Sequence, residues 1–388
     1  MGTKRIGKIW IQQGKLGYIM KLEINSNIAL ELFKKKEFRK IIDDFLAGFD
    51  NQPIYETGKK ILDDHIKLLD ITLRTCLMIN DSMSFCKILE KFGHLSALSH
   101  FSAANSFFNS NPQEAWYFLS NASSYNNKHH GFWSLGLNSI PRHQNWFSYN
   151  QHDIKGKITT NLKGDSFANS AFVFSSNSGY FNKYFEYSYS TLCKTNENKI
   201  FVYHIINPDE ETETLVAKYK NNKNINFNFE YTSEENKRKD YYASQRFYIA
   251  YEALNILNVP VFIFDIDTLF LKNTDHLFID DKWSTDLLGI KISPDVELPW
   301  QKIAAGAIYI PNNNTGRDYL KRVCSFISMI NKNTTHSNLW WIDQNALFFA
   351  LTDMNLNQYQ KWTGVLLNKF LSYPKILENK ETFFKNNS

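Results

Sequence analysis

Two carboxylates one residue apart, Asp265 and Asp267, follow directly on the apolar run Val259–Phe264. In an extended chain residues i and i+2 project to the same face, so the pair is expected to converge while Ile266 turns into the core. Paired carboxylates suit a hard divalent cation, which takes oxygen ligands and brings a diphosphate to a site that would otherwise repel it. Such a cation neutralises charge as a diphosphate leaves. An Asp-x-Asp also serves simply to cap a turn. The buried strand before it favours chemistry, because ligands of open α/β sheets lie beyond the carboxyl ends of strands.

The elements around the pair support that position. Ala171–Ser175, Ile200–Ile206, Ile225–Tyr231, Val259–Phe264 and Ile303–Ile310 read as strands. Tyr180–Cys193, Ala243–Ile256 and Trp340–Leu351 read as helices. Their alternation predicts an α/β sandwich with a largely parallel sheet. The chain before it is helical in pattern. Ile28, Leu32 and Phe33 form one apolar stripe, Phe38, Ile41, Ile42 and Phe45 a second, and Ile61, Leu62, Ile66, Leu69, Leu73 and Leu77 a third. Asn80-Asp81-Ser82 offers a turn and cap, and Met83, Ile88, Leu89 and Phe92 continue the pattern. Leu95–Asn109 and Pro112–Ser124 add two further helical segments, weakly similar to a tetratricopeptide array but without its strict period. The expected organisation is a helical domain over 1–125, a connecting segment over 126–165 and an α/β domain over 166–388. The segment His129-His130, Trp133, His143, Trp146 and His152 matches no common zinc spacing and reads as a connector.

Composition narrows the function classes. Of 388 residues, 43% are hydrophobic and 15% aromatic, which provides for packed cores and argues against disorder. The formal net charge of +5 is mild, and Lys34-Lys35-Lys36 is answered by Glu31, Glu37, Asp43 and Asp44, so no nucleic-acid patch is expected. Cys76, Cys86, Cys193 and Cys324 form no CxxC pair, which predicts reduced thiols and a cytoplasmic location. No signal core or run long enough for a transmembrane segment is read in the chain.

Five segments in order carry a family resemblance. They are Phe172-Val-Phe-Ser175-Ser-Asn177-Ser-Gly-Tyr180, the helix bearing Arg246, Asp265-Ile-Asp267-Thr-Leu-Phe-Leu-Lys272, Ala304-Ala-Gly306-Ala-Ile-Tyr-Ile310 and Trp341-Ile-Asp343-Gln344-Asn-Ala-Leu347. Together they resemble GT-A glycosyltransferases, the nucleotide-diphospho-sugar transferases of the DxD, glycogenin-like group. The resemblance spans about half the chain and implies a Rossmann-like GT-A domain. It implies sugar transfer from a nucleotide sugar, commonly a UDP-sugar, with Mn²⁺ or Mg²⁺, to a glycan or protein acceptor, and with retention of anomeric configuration.

On the same basis Asp267 is the direct metal ligand, and Asp265 bridges metal and ribose. Ser175, Asn177, Arg246 and Gly306 contact the nucleotide sugar, and Asp343 and Gln344 position the acceptor or the sugar. Two departures stand out: Ala304-Ala305 replaces the usual Asn before Gly306, and no His after His336 is present to complete a metal site. Lys361 and Lys369 are candidates to reach a diphosphate from the C-terminal tail, with exposed lysines as the simpler reading. Two alternatives remain at this level. A haloacid-dehalogenase-like phosphohydrolase also places Asp-x-Asp after an apolar strand, but with a Gly before the Thr, absent ahead of Thr268. A helical interaction protein with a degenerate transferase domain is the other.

Overall fold

A computed structural model describes residues 24–50, 59–92, 136, 138–140, 162–163, 168–233, 238–279, 283–293, 299–333, 338–354, 356, 358–374 and 379–387. The chain divides into two compact units, 1–103 with 128–131, and 104–127 with 132–388. The expected helices Leu95–Asn109 and Pro112–Ser124, and the histidines of the connecting segment, lie outside the described residues.

The first unit contains α1 (Ser26–Lys34), α2 (Phe38–Asp50), α3 (Lys59–Met78) and α4 (Ser82–Phe92). Their apolar stripes meet in a core of Ala29, Leu32, Ile41, Ile42, Phe45, Leu68, Leu69, Leu73, Phe85 and Ile88. Two expected stripe residues face out instead: Ile28 is 45% and Met83 83% exposed. The buried line of α1 runs through Ala29 and Leu32, so a small residue takes the close helix contact. The expected turn at Asn80–Ser82 is present. Asn80 adopts a left-handed backbone, and the Asp81 carboxylate accepts from the Ser84 backbone N–H at 3.0 Å.

The second unit is built on a seven-stranded sheet of order β3-β2-β1-β4-β7-β6-β8. The strands are β1 (Ser170–Asn177), β2 (Lys199–Ile206), β3 (Ile225–Glu230), β4 (Val261–Phe264), β6 (Gly289–Ile292), β7 (Ile303–Ile310) and β8 (Gln360–Trp362). A two-stranded sheet pairs β5 (Leu269–Phe270) with β9 (Leu371–Ser372). β1 to β4 run parallel, and β7 runs antiparallel to both its neighbours, β4 and β6, which makes the sheet mixed. The β1 and β2 runs are almost wholly buried, as strands covered on both faces must be.

One face carries an aromatic core. Alternate residues Phe172 and Phe174 of β1, Phe201 and Tyr203 of β2, and Phe262 and Phe264 of β4 pack with Phe181 and Phe185. These last two lie on α5 (Ser178–Thr195). The opposite face is covered by α7 (Lys239–Leu257), which packs on β1 and β4. α6 (Glu210–Tyr219) is capped by Asp209, whose carboxylate accepts from the Thr212 N–H at 2.8 Å.

Every strand and helix expected between 171 and 351 is present, with ends displaced by at most four residues and Ile303–Ile310 matched at both ends. Periodicity did not reveal α6, α9 (Asn314–Asn333), β6, β8 or α12 (Lys380–Asn387). The α9 sequence mixes Asn, Lys and Arg with its apolar positions, and its helical stripe is clear only once Tyr319, Leu320, Val323, Phe326, Ile327 and Ile330 are seen buried. Two short helices, α8 (Pro299–Lys302) and α11 (Gly364–Leu367), and α10 (Ile342–Asp353) complete the unit.

Candidate active site

The strand order reverses at β1. β2 and β3 lie on one side, and the chain then crosses to place β4 on the other. Such a switch point opens a crevice beyond the strand ends, where α/β proteins take ligands. The ends of β1 and β4 there carry Ser175, Asn177, Asp265 and Asp267.

The local geometry of the acidic pair differs from expectation. β4 ends at Phe264, and Asp265 to Thr268 form a turn closed by the Thr268 N–H donating to the Asp265 carbonyl at 3.2 Å. The two carboxylates are therefore set by a turn rather than by strand alternation. Ile266 is buried in the aromatic core, as its type requires. Both carboxylates act on one phenol: burial, then Asp267 and Asp265, push the Tyr180 hydroxyl well above its ordinary pKa.

Asp265 is half exposed, and its Oδ1 accepts from Arg246 Nη1. Arg246 is no surface charge. It is 4% exposed, and its Nη2 donates to Asp343 Oδ2 at 2.8 Å. Burial opposes the guanidinium charge, and Asp265 and Asp343 outweigh it, so its pKa is raised. Asp343 lies in the first turn of α10, and its Oδ1 also accepts from the Gln344 N–H at 2.8 Å. Trp341 precedes it with φ 79°, a left-handed backbone that is costly for a bulky residue and that turns the chain into α10.

Gly306 sits on β7, where the β6–β7 register shifts between Ile290 and Lys291, next to Ala307, the partner of Phe264. A Cβ at this position would lie 2.6 Å from Asp265 Oδ2. The glycine thus makes room for the carboxylate itself. Ser175 donates to the Tyr242 carbonyl at 3.2 Å. Asn177 caps α5, accepting from the Tyr180 N–H at 3.1 Å. Gln344 is partly buried.

The second carboxylate has partners that sequence patterns did not disclose. Asp267 Oδ2 accepts from the Tyr180 hydroxyl at 2.9 Å and from Lys380 Nζ. Tyr180 belongs to the segment after β1, and the cap at Asn177 is the signal that places it in the first turn of α5. Lys380 comes from the C-terminal helix, and nothing local in the sequence marks it. Lys361 and Lys369 are exposed, and neither forms an ion pair with Asp265 or Asp267.

A divalent cation fits this pair on one count. No hydrogen bond from a described residue reaches Asp265 Oδ2 or Asp267 Oδ1, which leaves one hard oxygen on each. Among the described residues no group of three or more His, Cys, Asp or Glu side chains is arranged to hold a metal ion. Two carboxylates would therefore have to be supplemented by phosphate and water oxygens. No described helix is long and apolar enough to cross a membrane.

No family model matches the chain, and no curated protein matches it in sequence. Over about half its length it is similar in fold to solved glycosyltransferases. The apo form of the glycosyltransferase GlyE of Streptococcus pneumoniae TIGR4 is 14% identical over 51% of this chain and 45% of its own, with a TM-score of 0.35. The galactosyltransferase LgtC, in complex with donor and acceptor sugar analogues, is 15% identical over 46% of this chain and 70% of its own, at a TM-score of 0.30. A nucleoside-diphosphate-sugar pyrophosphorylase from Vibrio cholerae RC9 is 14% identical over 56% of this chain and all of its own, at a TM-score of 0.37. The chain spans less than half the length of GlyE.

Proposed function

We propose that the α/β unit is a metal-dependent glycosyltransferase that moves a sugar from a nucleotide-diphosphate donor, a UDP-sugar first, to a glycan or protein acceptor. The observation that carries the reading is Asp265 and Asp267 at the switch-point end of β4, with Arg246 buried behind them. A buried cation held by two carboxylates is costly to build, and its product here is one fixed carboxylate orientation. That is the kind of support a ligating group needs.

Asp265 and Asp267 would hold Mn²⁺ or Mg²⁺ together with the donor diphosphate. Bound there, the cation supplies charge neutralisation as the nucleotide diphosphate departs. The remaining work belongs to the chain. Arg246 fixes the orientation of Asp265. Asp343 acts through Arg246 as a positioning residue, a role added here to the acceptor contact expected for it. Gly306 lets Asp265 sit against β7. Gln344, at the amino end of α10, is assigned to the acceptor or transferred sugar, and Ser175 and Asn177 to the nucleotide. Retention is the stereochemical expectation. The helical unit, proposed to span 1–125, presents the acceptor or mediates assembly, and four free thiols suit a cytoplasmic setting.

The test is a thermal-shift screen of nucleotide sugars with and without Mn²⁺. One donor should raise Tm only with Mn²⁺, and Asp267→Ala should abolish the rise while the protein still melts cooperatively. A rise that survives in Asp267→Ala would sink the assignment.

A further inference from the structure

The C-terminal helix α12 brings a cation to the carboxylate proposed to bind one. Lys380 is its first residue, and Lys380 Nζ donates to both Asp267 Oδ2 and the Tyr180 hydroxyl oxygen. The ammonium lies 5.0 Å from the Tyr180 ring centroid and 6.0 Å from that of Tyr184, within cation–π range of both. It thus rests on an aromatic floor with a carboxylate at one side. The amino end of α12 adds partial positive charge in the same place.

The rest of the helix is an anchor. Phe383 and Phe384 are 7% and 1% exposed and pack in a small cluster with Tyr184 and Leu269. The Phe384 ring lies 5.0 Å from that of Tyr184 and 5.3 Å from that of Tyr187, both on α5. Asn379 begins the helix, its side chain accepting from the Thr382 N–H at 3.2 Å. The attachment described includes two buried phenylalanines and one lysine on a helix of two turns. The Lys380 side chain remains 37% exposed, so solvent and ions reach it.

We infer that α12 is a self-inhibitory latch, in which Lys380 occupies the cation position at Asp267 and has to be displaced before a divalent ion binds. This rests on the metal site proposed above. The ammonium held on Asp267 Oδ2 stands beside the Oδ1 left for a metal, and its repulsion of a divalent ion there sets the two in competition. A partly exposed ion pair is weak enough to yield. Fixed by two phenylalanines, it is still strong enough to raise the concentration of ion required.

The test is Mn²⁺ binding to the full chain, followed by loss of the free-ion paramagnetic resonance signal. Lys380→Met should bind Mn²⁺ about fivefold more tightly than wild type. Phe384→Ala, which keeps the lysine and loosens the anchor, should move affinity the same way. Lys380→Arg, which keeps the charge, should stay near wild type. Saturating Mn²⁺ should also speed amide hydrogen exchange in residues 380–387 of the wild-type chain. Asp267→Asn separates the two layers of the argument. If it loses Mn²⁺ while Lys380→Met binds no more tightly than wild type, the latch is wrong and the metal site stands. If Asp267→Asn binds Mn²⁺ as wild type does, the metal site is wrong and the latch falls with it.

Discussion

The ion pairs described in the helical unit are mostly exposed, although its α3 also buries a carboxylate, Asp70, whereas the sheet unit holds buried pairs beside exposed ones such as Lys218–Glu186. In the helices, Arg39 pairs with Asp43 and Asp81, and Lys34 with Glu31, on side chains that are mostly more than half exposed. In the sheet unit, Arg246 is 4% exposed between two carboxylates, and Lys199 is buried against Asp275. Exposed pairs contribute little and cost little. A buried pair pays desolvation that its mutual attraction barely returns. What sets the Arg246 triad apart is its place, at the strand ends where ligands of α/β sheets sit.

The strongest attack on this contrast is Arg246→Met. It leaves Asp343 buried without its cation and Asp265 without its anchor, and should cost about 3 kcal/mol of stability, read by chemical denaturation. Donor binding should fall with it. A melting curve unchanged from wild type would mean that the triad is not the structural centre of the site.

Gly306→Ala sharpens the same point with less damage. The added methyl meets Asp265 Oδ2, which sits on a half-exposed side chain able to rotate away. Stability should change little, while affinity for a metal–nucleotide complex drops about tenfold or more, because a ligand displaced by a fraction of an ångström no longer reaches. Calorimetric titration of the nucleotide with Mn²⁺ reads this directly.

Arg39→Ala is the smallest effect and the control from the other unit. Asp43 stays solvated when it is removed and Asp81 keeps its bonds from Ser84, so Tm should stay within about 2 °C of wild type. A loss comparable to that of Arg246→Met would erase the distinction between the two units.

Local signals made much of this legible. The apolar run before Asp265 and the alternation of strand and helix patterns are properties of short segments, and they appear where residue types dictate. Lys380 and Tyr180 show the limit: one is a lysine in a polar tail, the other one of many tyrosines. Asp343 is expected from the family resemblance to position the acceptor or the sugar, and its hold on Arg246 spans 97 positions.

The sequence alone therefore determined that an acidic pair follows a buried strand in an α/β body behind a helical region. Hydrophobic period and the succession of strands and helices are written in neighbouring residues, which is why these could be read. Only the tertiary structure decided that the pair sits in a turn, that Gly306 makes room for it, and that Arg246 and Lys380 each neutralise one of its members. Those facts depend on chain crossings that bring residues 113 positions apart into contact, as Asp267 and Lys380 are. The energy of such contacts comes from shared burial, and no local pattern encodes it.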